Sequence, residues 1–325
     1  MKPTWRAKNT AVRRTMATVA VAPLMLMAAC GDGGTGALDN GPGDGGGDGQ
    51  EVVIAGQGYT EMQIMSEMYG ALLEDAGYSV TIKSVDTRDL YGPSLMNGQV
   101  DVVADYASSM TEYINIELNG PDADPVASPD VDETIAKLKE LGEQQGITPL
   151  EPAEAEDANA FAVTKEFSEE NDVTTLSDLG ALGEPVALAA APDCPERQDC
   201  KLGLEQVYDI EISNFEPLGF GSPQTKDALE SGEVQLGQVG TSDASAESLG
   251  LVVLEDDQNW QNAENLTPVV NSDFLDKNPE VADVLNMLSD VLITEDLKEL
   301  NAKVDIERLL PEDVAADYLK EKGLL

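Results

Sequence analysis

The chain of 325 residues contains no histidine. Without imidazole it cannot build a Ser-His-Asp or Cys-His catalytic unit, nor a histidine-ligated zinc or haem site. Any chemistry would have to come from carboxylates, Lys, Tyr or Cys. Positive charge is also scarce: 19 Lys and Arg stand against 62 Asp and Glu, a formal net charge of -43. A surface of that sign repels nucleic acid and anionic lipid headgroups and collects cations. The same charges repel one another in the compact chain, so added NaCl is expected to raise the melting temperature. A melting temperature that NaCl leaves unmoved would contradict a surface adapted to a salty medium. Aromatic residues make up only 5% of the chain, and cysteine is limited to Cys30, Cys194 and Cys200.

What is present first is an export pattern. Lys2, Arg6, Lys8, Arg13 and Arg14 precede an apolar run from Met16 to Ala29, which is too short for a comfortable membrane span. The run ends in LMAAC, similar to a bacterial lipobox in which Cys30 becomes lipidated, with Met27 where Leu is usual. A plain signal peptide with an incidental cysteine and a twin-arginine signal on Arg13 and Arg14 are the alternatives. Residues 31–50, GDGGTGALDNGPGDGGGDGQ, cannot bury a core and form a flexible tether. Their Asp-Gly repeats lack the ligand spacing and closing Glu of an EF-hand loop. The expectation is an exported, monomeric protein, anchored by lipid to the outer face of the cell membrane.

The folded part is expected from residue 51. Residues 52–54 read as a buried strand, 56–58 as a glycine turn, and the helix that follows is predicted to open with a capping box of Thr60 and Gln63. Met62, Met65, Met68, Tyr69 and Leu72 then recur at helical spacing. Strands at 78–84 and 100–106, with a short helix at 90–97 between them, predict a mainly parallel sheet. Asp122, Asp124, Asp130 and Asp132 lie in or beside an acidic proline-rich loop, read as solvated rather than cation-binding, and a helix follows at 132–145. A second α/β set begins near residue 154, with strands at 159–163, 185–191, 237–242 and 251–254. Residues 173–179 read as a strand end running into a helix. From residue 267 a short strand leads into three helices. In an exported chain Cys194 and Cys200 most simply form a disulfide; a redox pair lacks C-x-x-C spacing and a metal pair lacks partners.

Several segments together resemble one family. GQGYTE at 56–61 is similar to its opening (K/S)-N-F-T-E segment, and GQVDV at 98–102 with Asp105 and Tyr106 to its G-E-I-D-V…E-Y-T-G segment. DANAF at 157–161 matches D-x-N-A-F, and LVVLEDD at 251–257 with ENLTPVV at 264–270 matches G-L-x-x-L-x-D-D…N-x-x-P-V-V. These are segments of the substrate-binding proteins of osmoprotectant ABC importers, whose ligands include glycine betaine, choline, carnitine and proline betaine. The resemblance covers the whole chain after the tether. It implies a two-lobed α/β clamshell of the type II periplasmic-binding-protein kind with ligand in the interlobe cleft, no enzymatic activity and no cofactor. Lobe one would hold 51–153 and 267–325, lobe two 154–266, and hinge closure would report occupancy to the ABC permease.

Carried over residue by residue, the resemblance implies a ligand site of Gln57, Tyr59 and Thr60 in the first turn and Tyr106 and Ser108 after the third strand. Asn159 at the crossing, Thr241, Ser242 and Asp243 in a turn of lobe two, and Arg88 and Arg197 complete it. A quaternary ammonium is held over aromatic faces, and a carboxylate by a fork of donors such as Arg. Tyr59 and Tyr106 could instead be core aromatics, Arg88 and Arg197 could pair with carboxylates, and Asp243 could cap a helix. Where some members carry further tyrosines this chain has Gly240, Pro192 and Asn159, so a full aromatic cage is hard to assemble. The alternatives are a binding protein for another polar or amine solute, a carboxylate-based surface hydrolase, and a tethered adhesion or sensor module.

Overall fold

The computed structural model describes residues 49–325, apart from residues 86 and 122. The leader, Cys30, nearly all of the tether and Asp122 lie outside the described residues. Ten strands form two five-stranded sheets. The first contains β1 (Glu51–Gln57), β2 (Ser79–Val85), β3 (Val102–Tyr106) and β4 (Ile147–Pro149). The second contains β5 (Asn159–Thr164), β6 (Val186–Ala189), β7 (Ile212–Glu216), β8 (Leu236–Gly240) and β9 (Leu251–Leu254). The chain then returns to the first sheet as β10 (Leu266–Asn271), between β3 and β4.

Each sheet is mixed rather than mainly parallel. β1 runs parallel to β2 and β3, but β10 lies antiparallel to both β3 and β4. In the second sheet β6 runs parallel to β7 and β8, while β5 lies antiparallel to β8 and β9. The strands entering from the other half arrive running against the sheet they join, an arrangement that local alternation cannot reveal. β7, which reads ISNFE, escaped prediction because it is a polar edge strand. Residues 173–175 make one bridge, Thr175 to Glu255, and otherwise lead straight into the capped helix Leu176–Ala181.

Alternation along the strands covers both faces of each sheet. Val52 and Ile54 of β1 pack with Met65, Met68, Tyr69 and Leu72 of the helix Thr60–Asp75 and with the C-terminal helices. Ala55 faces the other way, onto Val103, Met110 and Leu138. In β5, Phe161 and Val163 join one core with Leu188 and Leu204, and Ala160 and Ala162 the opposite one with Leu229 and Val239. The capping box expected on the helix Thr60–Asp75 is absent. Thr60 Oγ1 donates to Asp305 at 2.6 Å and the Gln63 amide to the Gly58 carbonyl at 2.7 Å, so both side chains are engaged elsewhere.

Cys194 and Cys200 form a disulfide, and both are fully buried in the second lobe's core with Leu204 and Tyr208. Closing so short a loop is worth about 2 kcal/mol in the chain-entropy account. The double variant Cys194→Ser, Cys200→Ser is therefore expected to lower the unfolding free energy by about that amount in urea titration. A loss below about 0.5 kcal/mol would show that the bridge adds nothing to the core around it.

Candidate functional site

The turn after β1 and the turn after β8 face one another across a cleft of about 330 Å³. The first sheet's side contributes Tyr59, Thr60 and Glu61, together with Asn301 and Asp305 from the helix Thr294–Asp305. The second contributes Phe220, Lys226, Gly240 and Ser242 to Ser245, and Asp157 lies on the segment between the two sheets.

Two sets of hydrogen bonds run through this cleft. The Tyr59 hydroxyl donates to the Tyr106 hydroxyl at 3.1 Å, and Tyr106 donates to a Glu61 oxygen. The other Glu61 oxygen accepts from the Asn301 amide at 2.7 Å. That amide also reaches the Ser242 carbonyl across the cleft at 3.4 Å, and the Ser242 N–H donates to Asp157 at 3.2 Å. Lys226 pairs with Asp243 and donates to Ser245 Oγ, both at 2.6 Å. Asp243 caps the short helix Ala244–Ser248 through the Ser245 N–H at 3.0 Å.

Glu61 is 3% exposed. Burial, and after it the charge of Asp157, pushes its carboxyl up to about 7, against hydrogen bonds from Tyr106, Asn301 and Ser242 that favour the ionised form. Burial and then the neighbouring Asp243 also raise Asp157, opposed by its bonds from Ser242. Burial holds Tyr106 in the phenol form. A site with this balance attracts cations and repels anions.

The structure brings together four of the residues expected from the sequence: Tyr59, Thr60, Ser242 and Asp243 line the cleft. Tyr106 sits beneath it, buried, and acts on it through Tyr59 and Glu61. Gln57 opens instead onto a separate cavity of about 240 Å³ beside Gln63 and Glu67. Ser108 is buried in the first turn of the helix Ala107–Asn119. Asn159 and Thr241 line another cavity, of about 670 Å³. Asn159 donates to Asp199 and accepts from Gln238, and Thr241 Oγ1 bridges the Ala158 N–H and the Glu156 carbonyl.

Arg88 closes a two-pronged bond on Asp105 at 2.8 and 2.6 Å. Arg197 pairs with Asp193 and Asp199. With more than three acids for each base in the chain, both guanidinium groups are already taken by carboxylates.

Sequence reasoning missed Glu61, Asp157, Phe220, Lys226, Asn301 and Asp305. Glu61 and Asp157 stood inside the motifs that carried the resemblance. Phe220 had a signal too, an aromatic between two glycines in a loop. Asn301 and Asp305 had none: they come from a helix more than two hundred residues further along and are brought in by packing.

A family model, the substrate binding domain of ABC-type glycine betaine transport systems, matches residues 50–321. A glycine-betaine-binding protein of Pseudomonas aeruginosa is 27% identical over 282 residues, covering 84% of this chain and 88% of that one. The glycine betaine-binding protein YehZ of Escherichia coli is 26% identical over 274 residues, covering 81% and 88%. The solved structure of apo YehZ superposes with a TM-score of 0.70 at 25% identity over 85% of this chain and 99% of that one. A structure described as a glycine betaine/carnitine/choline ABC transporter gives 0.73 at 20% identity over 84% and 99%, which bears on the fold. The chain has the two-lobed α/β architecture of type II periplasmic binding proteins, and it belongs to the family of substrate-binding domains of ABC-type glycine betaine transport systems, extracytoplasmic solute-binding proteins rather than enzymes.

Proposed function

We propose that the protein captures a small ammonium compatible solute, glycine betaine or another quaternary amine, in the cleft between the turns after β1 and β8. It would deliver that solute to the permease of an ABC importer. The observation that carries this reading is the pairing of aromatic surface with negative charge in one interlobe space: Tyr59 and Phe220 beside Glu61 and Asp157. A quaternary ammonium offers no hydrogen-bond donor, so ring faces and carboxylates are the groups left to hold it, each ring contributing about 0.5–2 kcal/mol. The ligands named for its relatives, glycine betaine and carnitine, belong to this chemical class.

In this reading residues 51–153 with 267–325 and residues 154–266 close as two lobes over the solute. The helix Thr294–Asp305 meets Ser242 as they do so. Tyr59, Thr60, Ser242 and Asp243 touch the ligand, with Tyr106 behind them. Gln57, Arg88, Ser108, Asn159, Thr241 and Arg197 hold the walls. The molecule works as a monomer, tethered by a lipid on Cys30.

Titration calorimetry with glycine betaine, choline, carnitine and proline tests the reading, and uptake of none of them would overturn it. Tyr59→Ala is expected to weaken a quaternary-amine ligand by more than about tenfold, since loss of a ring contact of this size is worth about 1.4 kcal/mol or more, and Tyr106→Ala is expected to weaken it less, through the hydroxyl it shares with Tyr59 and Glu61. An unchanged Kd in Tyr59→Ala would remove the ring from the site.

A further inference from the structure

We infer that the cleft selects a net cation carrying an O–H or N–H donor over a zwitterionic betaine, through the carboxylates of Glu61 and Asp157 and the amide oxygen of Asn301. This rests on the reading that the cleft holds a small ammonium solute, and it specifies that solute's charge and polar end.

The first observation is charge. Glu61, Asp157, Asp243 and Asp305 line the cleft against a single base, Lys226, and Lys226 is already bound to Asp243 and Ser245 at 2.6 Å. A ligand carboxylate would find no unengaged cation there. Neither Arg88 nor Arg197 offers a fork, because they are held by Asp105 and Asp199. A ligand that is only cationic meets attraction throughout.

The second observation is independent of charge. Asn301 is 6% exposed and lines the cleft, and its Oδ1 is, among the described residues, the buried side-chain polar atom that lacks a hydrogen-bond partner. The amide nitrogen is fixed by Glu61 at 2.7 Å and by the Ser242 carbonyl at 3.4 Å, which holds the oxygen in place. A buried acceptor left unpaired is costly, and on a residue that lines the binding cleft it favours a ligand that brings a donor. A betaine with a fully methylated nitrogen and an ionised carboxylate has none. A hydroxylated quaternary ammonium has both the charge and the donor.

The third observation explains how Asp157 fits. A Cβ on Gly240 would stand 2.5 Å from Asp157 Oδ1 and 3.4 Å from the tip of the Phe220 ring. Only the bare backbone at this position leaves room for the carboxylate and the ring together, so Gly240 helps set specificity through the space it leaves. The ionisation of Glu61 then couples to the ligand. Tyr59, Tyr106, Asp157, Ser242 and Asn301 face or neighbour this carboxyl, with Asp305 and the Lys226–Asp243 pair farther along the cleft. A cation settling among them favours the ionised form, so its uptake releases protons near pH 7.

The test is calorimetry on the full folded chain with choline and glycine betaine as probes, at one ionic strength, in two buffers of different ionisation heat. Choline is expected to bind at least about tenfold tighter than glycine betaine and to release protons near pH 7. Asp157→Asn and Gly240→Ala should each shrink that ratio severalfold, and Glu61→Gln should abolish the release. Glycine betaine binding as tightly as choline or tighter in the wild-type protein overturns this inference while leaving the ammonium-binding reading intact. Binding of neither probe, nor of carnitine or proline, overturns that reading instead. The wild-type ratio decides the matter even where a variant fails to fold.

Discussion

Replacing Arg88 by methionine is expected to lower the unfolding free energy by about 3–5 kcal/mol, measured by urea titration, because it strands a buried carboxylate. Asp105 is 1% exposed at the end of β3. It accepts Arg88 Nε at 2.8 Å, Arg88 Nη2 at 2.6 Å, the Tyr91 hydroxyl and the N–H of Tyr106 at 2.8 Å. Removing the guanidinium leaves that charge in a site from which water is excluded. The double variant Arg88→Met, Asp105→Leu removes both charges and should recover much of the loss, since an apolar pair can replace a buried ion pair at little cost. A single-variant loss below about 1 kcal/mol would show that the pair is not load-carrying for stability. A loss of ligand affinity without a loss of stability would return Arg88 to the ligand.

The second expected result is a pH dependence that belongs to Glu61. Its carboxyl titrates at about 7 in the folded chain against about 4.5 ordinarily. Between these values the folded state keeps a proton that the unfolded state has released, so stability falls as pH rises from about 4.5 to about 7 and is level above that. The contribution is up to about 3 kcal/mol. Half-buried acids, among them Asp157, Glu156 and Glu264, are raised as well, and so the informative quantity is the difference between wild type and Glu61→Gln. That difference is expected to favour Glu61→Gln progressively as pH rises through this window, because the amide carries no charge to desolvate. A difference that does not change between pH 4.5 and pH 7 would mean that Glu61 is ionised throughout, and it would also remove the proton release expected on cation uptake.

The residues of the cleft differ in how legible they were. Tyr59 and Thr60 stand in a strand-turn-helix segment that alternation and spacing locate, and Asp243 caps a helix as its residue type suggests. Glu61 lies one position further on, but one acid among 62 draws no notice until burial singles it out. Arg88 illustrates the reverse. A scarce cation in an acidic chain looks available for a ligand, whereas its partner Asp105 lies seventeen residues away on a buried strand, and only packing brings the two together. The capping box at Thr60 was a sound local reading that lost to a distant partner, Asp305, which offers a charged acceptor at 2.6 Å.

From the sequence by itself followed the α/β class, the family, the absence of imidazole chemistry and the acidic character of the surface. These rest on residue type, short-range periodicity and ordered motifs, all of which are local or compositional. Tertiary structure decided which strands run antiparallel, because β10 returns to the sheet begun by β1, and β5 finds its antiparallel partners β8 and β9 only later in the chain. It also decided which carboxylates remain in the cleft and which neutralise the arginines, and that Asn301 brings an unpaired acceptor to Glu61 and Asp157. Charge, burial and hydrogen-bond satisfaction depend on distances between residues far apart in the chain, and those distances exist only once both lobes have packed.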